Sequence, residues 1–203
     1  MVEAYQRRSA LAHFGLTALA NQKIDGAGIT LGESAHRAII NIRGDAGDGA
    51  FTSAVKNATG VDLPIAANTV ATAGDVRILW LGPNEWWVVA TDARRADLID
   101  GLRQAFEGQH TNVTDVSESR TVITMTGPAS REVLARGISL DLHPRAFGPG
   151  QCAQTSLSRT NVLLHQLDNA PSYEIYVLKS FSDYLWRWIG LIAEDFGMSV
   201  RAD

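Results

Sequence analysis

His143 and Cys152 stand nine residues apart, and an imidazole beside a thiol is the pairing that nucleophilic sulfur chemistry needs, because the thiolate and not the thiol attacks. Separation along the chain does not fix separation in space, and no flanking signature of a thiol protease or caspase accompanies the pair. A lone cysteine is most often a small buried hydrophobe. Asp115 and Glu118 beside Arg120 offer a second chemistry, general acid–base catalysis by paired carboxylates, although a turn or a solvated ion pair is the commoner use of such a triplet. Gly44-Asp45-Ala46-Gly47-Asp48-Gly49 precedes a helical pattern as a phosphate-cradling loop would, but it lacks the lysine of a P-loop and reads as a strand-to-helix turn. The five histidines, His13, His36, His110, His143 and His165, never fall in an HExxH arrangement, so no metal site is expected.

The tryptophans are more telling. Trp86 and Trp87 are adjacent in a strand pattern, where neighbours point to opposite faces, so both cannot enter one core. Trp186 and Trp188 lie roughly 200° apart on a helix, and only Trp188 belongs to that helix's apolar stripe. An outward tryptophan is a common anchor of a subunit interface. Trp86 and Trp186 are therefore candidate interface residues, together with His143, Arg145 and Phe147 on the Pro/Gly-rich loop. No catalytic, cofactor-binding or metal-binding residue is assigned.

The elements that must position these groups come in a repeated order. Ala38-Ile39-Ile40-Asn41-Ile42 is a strand, and Phe51, Ala54, Val55 and Ala58 form one face of a helix that Gly60 closes as a left-handed cap. A hairpin around Gly74-Asp75, a strand at residues 86–90 and a helix buried through Leu98, Ile99, Leu102 and Phe106, with Thr91-Asp92 at its N-cap, follow. From residue 112 the order restarts. Val122 to Met125 is a strand, Pro128 opens a helix that Gly137 closes, and three strands lie near residues 153–157, 162–167 and 173–178. Ser180 and Asp183 have capping-box spacing at the start of the last helix, whose stripe is Leu185, Trp188, Ile189, Ile192 and Phe196. A period of roughly 80 residues is too long for a solenoid. The expectation is an α+β fold of two pseudo-repeated βαββ(β)α ferredoxin-like halves, at residues 31–110 and 111–203, preceded by an N-terminal arm at residues 1–30.

The 203 residues carry a net charge of −4 with both signs dispersed, which excludes the basic stripe of a nucleic-acid binder. One cysteine excludes an internal disulfide framework and fits a reducing compartment, so the cytoplasm is expected. No apolar run approaches the roughly 20 residues of a membrane span. Arg7-Arg8 before the apolar stretch from Leu11 to Ala20 resembles an export signal, but His13, Gly15 and Thr17 interrupt it, and a docking arm is the preferred reading.

Taken together, Arg8-Ser9-Ala10-Leu11-Ala12, Leu81-Gly82-Pro83-Asn84-Glu85-Trp86, Asp115-Val116-Ser117, Gly127-Pro128, the segment from Leu140 to Phe147, Gly150 to Thr155 and Ser180 to Trp188 resemble the gamma subunit family of heterotetrameric sarcosine oxidase. Asp115-Val116-Ser117, Gly127-Pro128 and Leu134 are more remotely similar to the folate-binding domain of the glycine-cleavage aminomethyltransferase family. The resemblance implies an accessory, non-catalytic subunit that docks on alpha, beta and delta partners. It also implies that FAD, FMN, NAD and tetrahydrofolate reside in those partners and not in this chain. Sarcosine would be demethylated to glycine, with hydrogen peroxide and formaldehyde or 5,10-methylenetetrahydrofolate as products. The alternatives are a free-standing folate-binding or aminomethyltransferase-like protein and, last, an independent thiol enzyme using Cys152.

Overall fold

The computed structural model describes residues 7–22 and 24–202; residues 1–6 of the expected arm, residue 23 and residue 203 lie outside the described residues. Eleven strands and five α-helices follow in the order α1 (Leu16–Ala20), β1 (Ile29–Ser34), β2 (Ala38–Arg43), α2 (Gly49–Thr59), β3 (Val70–Ala73), β4 (Val76–Gly82), β5 (Glu85–Ala90), α3 (Arg95–Ala105), β6 (Asn112–Asp115), β7 (Arg120–Thr126), α4 (Ser130–Ala135), β8 (Gln151–Leu157), β9 (Thr160–Asp168), β10 (Ser172–Leu178), α5 (Lys179–Ala193) and β11 (Met198–Arg201). They form a five-stranded sheet, β3-β4-β5-β2-β6, and a six-stranded sheet, β11-β1-β7-β10-β9-β8.

The two sheets repeat each other position for position: β3-β4-β5-β2-β6 matches β8-β9-β10-β7-β1, and β11 is added parallel to β1 at the far edge. The repeat carries a strand exchange. β1 lies just ahead of β2 in the chain yet pairs antiparallel with β7, and β6 lies just ahead of β7 yet pairs antiparallel with β2. β1 therefore completes the six-stranded sheet and β6 the five-stranded one. That interleaving ties the two halves together through backbone hydrogen bonds, in addition to side-chain packing.

Period-2 alternation along the central strands separates three apolar layers. In β5, Trp86, Val88 and Ala90 face α2 and α3, packing with Phe51, Val55, Leu98 and Leu102. Trp87 and Val89 face the opposite way, into a layer between the sheets with Ile39, Leu79, Val122, Cys152, Leu163 and Tyr176. On the far side, Ile123, Met125, Tyr173, Ile175 and Val177 meet Leu134, Leu185, Trp186 and Ile189 of α4 and α5. The architecture is thus helix layer, sheet, sheet, helix layer.

Several helix ends depart from the sequence expectation. Gly60 is a left-handed cap, φ 75°, as expected, but the helix with Gly137 beyond it does not end that way. Gly137 is needed for space: a Cβ there would sit 2.4 Å from the Trp188 ring. Pro128 lies in a turn two residues before α4 rather than at its first position, and Ser130 N–H bonds back to Gly127 O. Thr91 makes no side-chain cap, because a short 3-10 turn at Asp92–Arg94 leads into α3. The spacing at Ser180 and Asp183 does not form a capping box either; Asp183 accepts from Arg187 and faces His13 instead.

The arm docks on its own chain. Leu11 is fully buried in the α5-side core, its N–H donates to the buried Glu33 carboxylate, and Phe14 packs at 5.9 Å from the Trp186 ring. Arg187 then covers Phe14 from outside at 4.8 Å.

Candidate functional site

The groups that could carry chemistry are best judged by what already holds them. Cys152 is fully buried in the layer between the sheets, its Sγ 3.3 Å from Trp80 O and 3.6 Å from Thr69 O, with its N–H donating to Asn68 O. Burial pushes its thiol up from 9.0 to about 12. His143 lies apart on the exposed loop, where its Nδ1 accepts from Arg145 N–H. The structure does not bring the two together as a nucleophile and base. A thiol held that far above neutrality carries almost no thiolate at pH 8 and is a poor nucleophile. Folded chain is accordingly expected to react with a thiol-specific disulfide reagent only in step with unfolding by denaturant. Full labelling within the mixing time, without denaturant, would show the thiol to be accessible and activated.

Asp115 and Glu118 are similarly occupied. Asp115 Oδ1 accepts from both Ser117 N–H and Ser117 Oγ, and its Oδ2 is 2.6 Å from Arg95. Burial opposes its ionisation, but the Ser117 hydrogen bonds and Arg95 outweigh that and hold the carboxyl below the usual range. Glu118 meets Lys179, Arg95 and Arg7 at 3.0, 2.8 and 2.7 Å, and Lys179 in first place draws its carboxyl down to about 2. Both stay ionised across the physiological range and bind cations, so neither is poised to exchange a proton near neutrality. Ser117 Oγ in turn accepts the N–H of Ile39. The Asp-x-Ser motif is a buckle between β6 and β2.

A buried charged cluster, which the sequence gives no reason to single out, sits where the two sheets face each other. Glu174 on β10 is 2% exposed. Its Oε2 takes Arg77 from β4 of the other sheet at 2.6 Å and Tyr176 OH at 2.7 Å, with His165 Nδ1 at 3.5 Å, while Arg37 reaches Oε1 at 3.5 Å. Burial alone would raise this carboxyl; His165 and Arg77 more than reverse that and hold it at about 2. Burial, reinforced by the Glu174 charge, pushes the Tyr176 phenol far above 10.

The solvent-open feature lies at the mouth of the same inter-sheet layer. Trp87, Arg120 and Gln154 are shared by two adjoining clefts of about 510 and 410 Å3. Arg120 opens β7 and stacks over Trp87 at 4.6 Å, and Gln154 Nε2 crosses from β8 to Leu81 O at the end of β4. The glycine-rich loop at 44–49, by contrast, does not cradle an anion. Gly47 N–H is taken by the Asp45 side chain and Ala50 N–H by Asp48, so the helix start already holds negative charge.

Of the five candidate interface residues, three prove to be core. Trp86 is fully buried and its Nε1–H donates to Pro64 O at 2.8 Å. Trp186 is 4% exposed beneath Phe14, and Phe147 is 3% exposed in the α5-side core. Both sheet faces are covered, so the outward tryptophan that the alternation demands points into a second core instead of into solvent. His143 and Arg145 are exposed. The loop around them also fastens the two halves: Val70 N–H donates to Gly150 O, and Cys152 N–H to Asn68 O.

A family model described as "Sarcosine oxidase, gamma subunit family" matches residues 43–194. The chain belongs to the sarcosine oxidase gamma subunit family. It is 34% identical over 193 residues to the sarcosine oxidase subunit gamma of Corynebacterium sp. strain U-96, covering 93% of this chain and 91% of that one. It is 32% identical over 187 residues to the counterpart from an Arthrobacter species, covering 90% and 88%. Among solved structures, a chain of the heterotetrameric sarcosine oxidase from Corynebacterium sp. U-96 in complex with pyrrole 2-carboxylate superposes with a TM-score of 0.84 at 33% identity, covering 94% of this chain and 96% of that one. The glycine cleavage system aminomethyltransferase T from Bartonella henselae shares the fold at a TM-score of 0.64 and 14% identity, over 93% of this chain and 50% of that one. Several segments that carry the gamma-family resemblance have architectural roles. Glu85, in the Leu81 to Trp86 segment, accepts from Asn41 and Arg43 of the neighbouring strand, and the Asp141 side chain fixes the turn at His143.

Proposed function

We propose that this gamma-family chain is an accessory, non-catalytic subunit of a heterotetrameric sarcosine oxidase, supporting its assembly with alpha, beta and delta subunits. The observation that carries this reading is the 0.84 TM-score at near-complete mutual coverage with a chain of a heterotetrameric sarcosine oxidase. The occupied state of Cys152, Asp115 and Glu118 supports it, since each spends its chemistry on the fold. The complex would oxidise sarcosine to glycine, reduce oxygen to hydrogen peroxide, and release the methyl carbon as formaldehyde or pass it to tetrahydrofolate as 5,10-methylenetetrahydrofolate. FAD, FMN, NAD and tetrahydrofolate would be held by the partner subunits, in the cytoplasm. Among the described residues, no helix is long and apolar enough to cross a membrane. Of the expected anchors, exposed His143 and Arg145 remain the ones able to meet a partner.

Co-expression with the three partner subunits, followed by size-exclusion chromatography, tests the reading. The chain is expected to co-elute with all three in one active complex; a chain that stays monomeric beside them would overturn the assignment. The aminomethyltransferase-like fold supports a second reading, a free-standing folate-binding protein. Tight, saturable binding of tetrahydrofolate by the isolated chain would favour that one.

A further inference from the structure

We propose that the mouth of the inter-sheet layer, at Arg120 and Trp87, is a binding site for a monocarboxylate. Of the half-buried arginines, Arg7, Arg37, Arg77, Arg94 and Arg95 each meet a carboxylate within 4 Å, and Arg131 lies against Tyr173. Arg120 meets none among the described residues. Among the described residues its guanidinium makes one hydrogen bond, to Ser119 Oγ, long at 3.4 Å, and otherwise rests on the Trp87 ring at 4.6 Å. A desolvated cation is ordinarily paired, because burial without a counter-charge costs several kcal/mol. Burial does lower the pKa of Arg120, with Glu85 the charge that opposes it. Glu85 is already engaged by Asn41 at 2.7 Å and Arg43 at 2.8 Å.

The charged residues lining the two clefts are Arg43, Glu85 and Arg120. Arg43 and Glu85 cancel, which leaves one positive charge at Arg120, enough for a single carboxylate and poorly suited to a phosphate dianion beside Glu85. Stacking on Trp87 holds the guanidinium plane, and a planar fork matches a carboxylate with two parallel hydrogen bonds. The larger cleft continues from Arg120 along Thr155, Ser156 and Asn161 to the exposed Leu178. Its volume of about 510 Å3 is within the usual range for small-ligand sites. The carboxylate would sit on Arg120 with its aliphatic body toward the exposed Leu178. The same chemistry can be supplied by a free small acid or by an acidic side chain of a partner subunit.

Two arms separate these sources. In the full chain, the Trp87 indole N–H resonance, assigned with Trp87→Phe, is followed during titration with propionate and, as the uncharged match, propionamide. In the assembled complex, the effect of Arg120→Gln on subunit affinity is measured. A saturable shift with propionate, absent with propionamide and weakened about tenfold or more in Arg120→Gln, supports the site and marks a free acid as its ligand. Loss of about tenfold or more in assembly affinity in Arg120→Gln, partly mimicked in wild type by propionate competition, supports it with the carboxylate on the partner. Arg120→Lys, which keeps charge and loses the fork, should fall between in either arm and guards against a folding defect. Equal shifts with propionate and propionamide overturn the proposal, as does a well-folded Arg120→Gln that alters neither the titration nor assembly. Because the first arm needs no partner, failure of the assembly reading leaves it intact.

Discussion

Glu174→Gln is expected to destabilise the isolated chain by about 3–5 kcal/mol at neutral pH, the range for removing one member of a buried ion pair. Glu174 joins the sheets: it lies on β10, and Arg77 comes from β4 of the other sheet at 2.6 Å. The amide keeps the shape of the side chain but leaves the half-buried Arg77 and Arg37 without a counter-charge. The effect has a pH signature. The folded carboxyl is held at about 2, below its ordinary 4.5, so ionised Glu174 favours the folded state. Its contribution is complete above about pH 5 and disappears as pH falls from about 4.5 through 2, because the unfolded chain then binds the proton first. The gap between wild type and Glu174→Gln in urea titrations should therefore be constant from pH 8 to about 5 and shrink by pH 3. A gap that persists undiminished at pH 3 would mean the loss is packing and not charge. Replacing Arg77 and Glu174 together with leucines should cost less than the sum of the single changes, since the two no longer strand each other.

The cluster also shows where sequence reasoning stops. Local signals were strong wherever an element is defined by its own residues. The Ala38 to Ile42 strand, the Phe51, Ala54, Val55 face and the hairpin at Gly74 all lie where their patterns place them. Three strands escaped. β1 contains Gly32 and polar Thr30, Glu33 and Ser34, β6 is four residues of mostly polar side chains, and β11 is a short edge. Each is a strand because of the neighbour it pairs with, and no local pattern records a neighbour about 70 to 170 residues away. Glu174 is equally silent: in β10 a glutamate between Tyr173 and Ile175 reads as the polar, outward half of an alternation. It becomes a buried hub only when a second sheet covers that face.

The tryptophans failed for the same reason, and their correction carries the second large prediction. Alternation puts Trp86 and Trp87 on two faces, and where the sequence leaves one face to solvent the structure gives both to cores. Removing the Trp86 indole leaves a cavity among Phe51, Val88 and Phe106 and strands Pro64 O without its donor. Trp86→Ala should cost about 3–5 kcal/mol, the usual range for deleting a buried tryptophan. The cost must appear in the isolated chain, as a lower denaturant midpoint with no partner present. An interface anchor behaves oppositely: its removal leaves the free chain as stable as before and weakens only assembly. Trp86→Phe should recover most of the lost packing but not the hydrogen bond to Pro64. The contrasting pair is His143→Ala with Arg145→Ala, whose exposed side chains should change isolated-chain stability by no more than about 0.5 kcal/mol, so any loss of co-elution with the partner subunits would report contact and not unfolding. An isolated Trp86→Ala chain as stable as wild type would return that tryptophan to the interface.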